Sequence, residues 1–261
     1  MRSFRSAFGH LPAALVASLL LALPAYAHPT SPELAGKFAR GEYLTAAADA
    51  ETAAGADDLA FAARALLAHC MTGNSEPDVA IVDRAARDAE AALKEEPGHE
   101  EAQLQLAIAL SLKSRDMDAM AAWTAGYGER GKKLAEDVLK SDPRNFYAHG
   151  FLAVWNIEVE RRGGSMGAWM MGASMDNARK HYDAARQLAP DDVGVHWQYA
   201  RALAALDLNR YQGEVKAALE RAAAASTSDH VEEVMQDRAR VLLASLAGDQ
   251  VAAQKLARAM L

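Results

Sequence analysis

Cysteine is nearly absent: the 261 residues contain one, Cys70. A single thiol closes no internal disulfide, so the fold stands without that staple. Glycine (17) and proline (8) are sparse, and aromatic residues make up 7% of the chain. Strand-type alternation is missing throughout while alanine abounds, which excludes a sandwich or barrel and predicts an all-α protein. Positive charge is in deficit. The formal net charge is −7, and two of the cations, Arg2 and Arg5, lie in a segment that reads as a cleaved leader. Such a surface argues against nucleic acid and against an anionic membrane as partners. Among enzyme signatures, H-E-x-x-H, a complete P-loop and C-x-x-C are missing. The carboxylates interleave with cations at helical spacing, as Glu129–Lys133 and Glu136–Lys140 do, and so read as helix support. The expectation is a protein that is not an enzyme, with no catalytic residues, no cofactor and no metal.

The first 27 residues carry the marks of a secretory signal peptide. The start is basic, residues 11–23 are apolar, and Pro24-Ala25-Tyr26-Ala27 ends in the small-x-small pattern that signal peptidase reads. The apolar stretch is short for a membrane span, and nothing after it is apolar enough for one. Cleavage after Ala27 predicts an exported protein, periplasmic in the simplest case, with no transmembrane segment.

What the chain has in place of catalytic motifs is periodicity. Pro97, Pro143 and Pro190 each end the same spacing: Ala85, Ala89, Ala92, Pro97; then Gly131, Ala135, Val138, Pro143; then Ala178, Tyr182, Ala185, Pro190. Each proline stops one helix, and a second helix starts a few residues later. Helices are predicted over 57–71, 78–96, 100–114, 117–141, 145–162, 175–188, 191–206, 211–225, 229–246 and 251–261. Residues 32–49 read as a helical pair broken near Gly41. Residues 163–175 form an uncharged segment rich in Met and Gly around Trp169. A fixed period of helical hairpins is the signature of a solenoid, and solenoids mostly bind things.

After each proline comes a matching first helix: Gln103, Leu106, Ala107 and Leu110; His149, Leu152, Ala153 and Asn156; His196, Tyr199, Ala200 and Leu203. This pattern resembles the tetratricopeptide repeat (TPR), with Gln or His at the family's Trp position and Ala at its Gly position. Gly248-Asp249 and Ala253 repeat the family's turn spacing. The resemblance covers roughly residues 57–261, and residues 28–56 would form an N-terminal helical cap. It implies a TPR-like right-handed solenoid of five to six hairpins. The period, longer than the family's 34 residues, is similar to divergent exported versions such as the T-component of TRAP transporters, and to the related microtubule-regulator-like repeats.

In that family the first helix of each hairpin lines a concave groove. Carried over, the resemblance implies that Leu104, Ile108, Tyr147, Val154, Ile157, Glu158, Trp197 and Arg201 face such a groove. An apolar groove with aromatics and an arginine suits a hydrophobic peptide segment or an amphiphile with an acidic head. The same residues could instead be buried under a neighbouring hairpin or in a homo-oligomer. The segment around Trp169 reads as a flap or docking loop over the groove, as a Cu(I) site built from Met166, Met170, Met171 and Met175 with His149 or His181, or as a packed insertion. His149 and His196 recur at one repeat position and read as core histidines; Cys70 reads as a buried helix residue. Three functions follow in order: an exported scaffold that binds protein segments, a solute-binding accessory of a TRAP-type transport system, and a Met-rich copper-handling protein.

Overall fold

The computed structural model describes residues 31–73, 76–115 and 117–260. The expected leader and the expected cleavage point after Ala27 lie outside them. The described chain is all-helical: α1 (Pro32–Ala39), α2 (Tyr43–Ala53), α3 (Ala56–Thr72), α4 (Val79–Glu95), α5 (Glu100–Lys113), α6 (Ala119–Thr124), α7 (Tyr127–Ser141), α8 (Phe146–Met171), α9 (Met175–Leu188), α10 (Val193–Ala224), α11 (His230–Ser245) and α12 (Gln250–Ala259). None of these helices is long and apolar enough to cross a membrane.

The three prolines build one joint three times. Two residues after each lies the N-cap of the next helix. His99 Nδ1 accepts from the Ala102 amide at 3.2 Å, Asn145 Oδ1 from Ala148 at 3.0 Å, and Asp192 Oδ1 from Val195 at 2.7 Å. Each such cap stabilises by about 1 kcal/mol. Six residues after the proline, a side-chain nitrogen returns to the proline's own carbonyl: Gln103 Nε2 to Pro97 and His149 Nε2 to Pro143, both at 3.2 Å, and His196 Nε2 to Pro190 at 2.7 Å. Gln or His at this repeat position thus satisfies a carbonyl the helix break leaves without a partner. The small residues before each proline are buried where helices cross. A Cβ on Gly131 would sit 3.4 Å from the Phe151 ring and 3.6 Å from the Ala107 carbonyl.

His196 is fully buried; its Nδ1 accepts from Tyr182 Oη at 2.8 Å. His149 Nδ1 instead meets His181 Nδ1 at 2.9 Å. Because His149 uses its Nε2–H on Pro143, its Nδ1 is the acceptor and His181 donates. Burial pushes both imidazoles down, His181 to about 4, with His149 and Lys180 adding to that fall; Asp142 and the Pro143 carbonyl pull His149 the other way. The unfolded chain therefore takes up protons first as pH drops, and stability falls from about pH 6.5 towards pH 4. His181 is only partly buried, so solvent screening limits its share to about 1–2 kcal/mol. Urea unfolding of wild type and His181→Gln at pH 7 and pH 4.5 checks this. The variant should lose less stability on acidification; equal losses would refute the assignment.

Two departures from the expected helices, and one break where it was expected, shape the centre of the molecule. The helix expected over 117–141 breaks at Gly126 (φ +70°), which sets the short α6 apart from α7. Helix α8 continues past its expected stop, kinked at Gly164 (φ +59°, ψ −167°), a conformation reserved for glycine. No atom lies within 4 Å of a Cβ there, so the backbone and not space demands the glycine. In α10 the turn falls at Asp207 and Tyr211, and carbonyls freed at Ala205 and Leu206 accept from Gln254 and Arg258 of α12.

The two ends of the array touch. Helix α11 packs on α1 and α3. Tyr43 Oη bonds His230 Nδ1 at 3.1 Å, and the Arg238 guanidinium caps the C-terminus of α3 through the carbonyls of Met71 and Gly73. Arg115 reaches the Arg258 carbonyl at 3.1 Å. The array is closed, and α3, α5, α8, α10 and α11 all face a central cavity.

Candidate functional site

The cavity holds about 700 Å³, within the range of small-molecule sites. Part of its apolar wall is built from single faces of three of the facing helices. Leu104 and Ile108 come from α5, Tyr147, Phe151 and Val154 from α8, and Val195 from α10. These positions repeat at three- and four-residue spacing, as one helix face must. Past the apolar belt, Gln198 and Arg201 of α10 and Glu158 of α8 also face the cavity.

Of the nine sequence candidates, six lie on this wall: Leu104, Ile108, Tyr147, Val154, Glu158 and Arg201. Three do not. Ile157 and Trp197 are fully buried in the core among Val193, Tyr199 and Leu203. Each sits about a quarter-turn off the wall face of its helix. Trp169 points outward, 79% exposed, forming a shallow surface notch with Ser165 and Met166.

The Met-rich segment divides. Met166 and Met170 stay exposed at the cavity mouth beside Met120 and Trp123 of α6. Met171 packs on the cluster of Trp155, Ala168 and Ala173, and Met175 packs on the α9–α10 core. The four thioethers do not share one face, and His149 and His181 meet each other instead. Among the described residues, no group of three or more His, Cys, Asp or Glu is placed to hold a metal ion. Cys70 is buried, and burial pushes its thiol up to about 11, far from the range of a reactive thiolate.

Of the arginines that line the cavity, which include Arg64, Arg115, Arg161 and Arg162, Arg201 is the most buried. It is 7% exposed, donates from Nε to Gln198 Oε1 at 3.1 Å, and holds Glu158 Oε1 at a loose 3.6 Å from Nη2. Nη1 has no hydrogen-bond partner among the described residues. Burial pushes its pKa down, with Arg115 and Arg161 adding to the strain and Glu158 opposing it. Burial likewise pushes Glu158 up, but Arg201, Arg161 and Arg162 outweigh that and hold it below the ordinary range. Arg161 pairs with Glu158 at 2.6 Å, and Arg162 is bonded to the Ser114 and Met117 carbonyls. Arg201 therefore has donors beyond these two acceptors, while Arg161 and Arg162 are bonded to Glu158 and to backbone carbonyls.

Two glycine spacings familiar from enzymes do occur, though the helical sequence pattern hid them. G-x-G-x-x-G spans Gly126, Gly128 and Gly131, and G-x-S-x-G spans Gly163, Ser165 and Gly167. Both signatures require a preceding strand. Here the first follows α6 and serves the close crossing at Gly131, and the second lies inside α8. Ser165 is exposed and bonded to no histidine or carboxylate of the described residues. No protein-family model matches the chain and no curated protein matches it, so the cavity's own chemistry carries the functional reading.

Proposed function

We propose that the protein is an exported, periplasmic, non-enzymatic binding protein, and that its TPR-like hairpins close around an amphiphile with an acidic head. The observation that carries this is a buried arginine, with donors beyond its two bonded acceptors, on the wall of a mainly apolar cavity of about 700 Å³ that also carries Arg64, Glu101, Asp192 and Glu232. The apolar belt would desolvate the chain of the guest, at about 0.8 kcal/mol for each CH₂ buried. Arg201 would fix the head, because a carboxylate accepts from the guanidinium in two parallel bonds. Such a ligand stands closer to the solute-binding accessory suggested by the T-component resemblance than to a general scaffold. Capture of a hydrophobic protein segment is the second reading. It draws on the exposed Met120, Trp123, Met166 and Met170 at the mouth, and an apolar peptide that competes with the amphiphile would favour it.

Calorimetric titration with decanoate and decanol tests the first reading. Arg201→Met should weaken decanoate about 10- to 100-fold, the value of a charge-assisted pair. Decanol, which lacks the charge, should bind wild type and variant alike. Equal decanoate affinities for the two proteins would sink the Arg201 anchor.

A further inference from the structure

Arg201 has a second donor beside it. Gln198 stands one turn earlier on α10, and Val195, Gln198 and Arg201 share the face of that helix turned to the cavity. Arg201 Nε donates to Gln198 Oε1 at 3.1 Å. That bond fixes which way the amide points, because the flipped orientation would set one N–H against another. The Gln198 oxygen is thus held by the protein, and Nε2 carries both amide hydrogens. Among the described residues nothing accepts from Nε2. The nitrogen is not sealed in the interior either, and its residue is half-buried on the cavity wall. Its hydrogens therefore face space that a guest can enter. The oxygen and nitrogen of an amide lie about 2.2 Å apart by covalent geometry, so Nε2 stands no more than about 5.5 Å from Arg201 Nε.

The two donors differ in kind. A guanidinium can take both oxygens of a carboxylate through two parallel bonds. The amide then still has hydrogens to give and no charge to neutralise, so the acceptor it asks for is a neutral oxygen close to the acid. We infer that Gln198 is a second binding residue of the head site, and that the guest carries a carbonyl oxygen on the carbon next to its acid group. Arg201 would take the carboxylate and the Gln198 amide the carbonyl. A methylene at that position leaves the amide hydrogens unanswered once the guest has displaced solvent, which costs the desolvation of a polar group. A hydroxyl there accepts too, but brings a hydrogen of its own, and the Gln198 oxygen is already committed to Arg201. The guest is then a 2-oxo acid with an apolar chain. The inference rests on the acid-head reading above and deepens it.

The test titrates 2-oxodecanoate and decanoate, chains of equal length, into wild type, Gln198→Leu and Gln198→Glu. The readout is the ratio of the two affinities on one protein, so a smaller folded fraction cancels. Wild type should prefer 2-oxodecanoate about 3- to 10-fold, the value of one neutral hydrogen bond. Gln198→Leu has no donor and should bring the ratio to unity. Gln198→Glu still offers Arg201 Nε an acceptor but has no hydrogen for the guest, and should turn the preference towards decanoate. A wild-type ratio of unity, or a preference that survives both substitutions, overturns the Gln198 subsite, and the acid-head reading stands if decanoate still depends on Arg201. Failure of wild type to bind either probe removes both.

Discussion

Trp197→Ala lowers the unfolding free energy by about 3–5 kcal/mol, the usual cost of emptying a fully buried tryptophan site. The side chain is completely inaccessible and sits in the largest core cluster, with Ile157, Tyr199 and Leu203. Truncation leaves a void between α8 and α10 that neighbouring alanines cannot close, because they have no atoms to extend. In a chain of this size the melting temperature should drop by roughly 10 °C. Binding should suffer only in proportion to the unfolded fraction, so decanoate affinity measured well below the melting point stays within a few-fold of wild type. Val154→Ala gives the opposite pattern, since Val154 lies on the cavity wall and only partly inside the core. It should cost little stability and weaken decanoate several-fold. A Trp197→Ala protein that melts with wild type yet loses its ligand would place Trp197 on the wall after all.

That contrast marks where sequence ceases to specify the site. The joints were legible as a proline followed by a helix restart because that chemistry is local; the return of Gln103, His149 and His196 to the proline carbonyl was not. Gly41 (φ +79°) broke the first helical pair where expected. The faces of α8 and α10 were harder to assign. Both helices are apolar on most sides, one stripe against the core and another against the cavity, so periodicity shows burial without showing which surface does the burying. Polar residues within those stripes are the better guide. Gln198 and Arg201 on α10, and Glu158 on α8, mark the cavity face, and Ile157 and Trp197 fall to the side of it. Ring closure had no local signal either. It rests on Tyr43 with His230 and on Arg238 with the end of α3, partners more than 160 residues apart.

Glu158→Gln destabilises the empty protein by about 2–4 kcal/mol and tightens its hold on an acid. Glu158 is the carboxylate shared by Arg201 and Arg161, and those arginines keep it ionised against its burial. Removing its charge leaves the desolvated guanidinium of Arg201 uncompensated, and a buried ion that loses its partner costs more than the pair contributed. The substitution also replaces the charged acceptor that competes with a guest for Arg201 Nη2 by a weaker neutral amide oxygen. A decanoate head then supplies the missing charge, so its affinity should rise about 5- to 10-fold, and saturating decanoate should raise the melting temperature more in the variant than in wild type. The double variant Glu158→Gln/Arg201→Met separates the two effects. With the cation gone, the stability loss should largely disappear and the affinity gain should vanish with it, because both arise from one unpaired guanidinium. Single-variant stability and decanoate affinity both equal to wild type would mean that Arg201 is neutralised from elsewhere, and the acid-head anchor would fail on the same result.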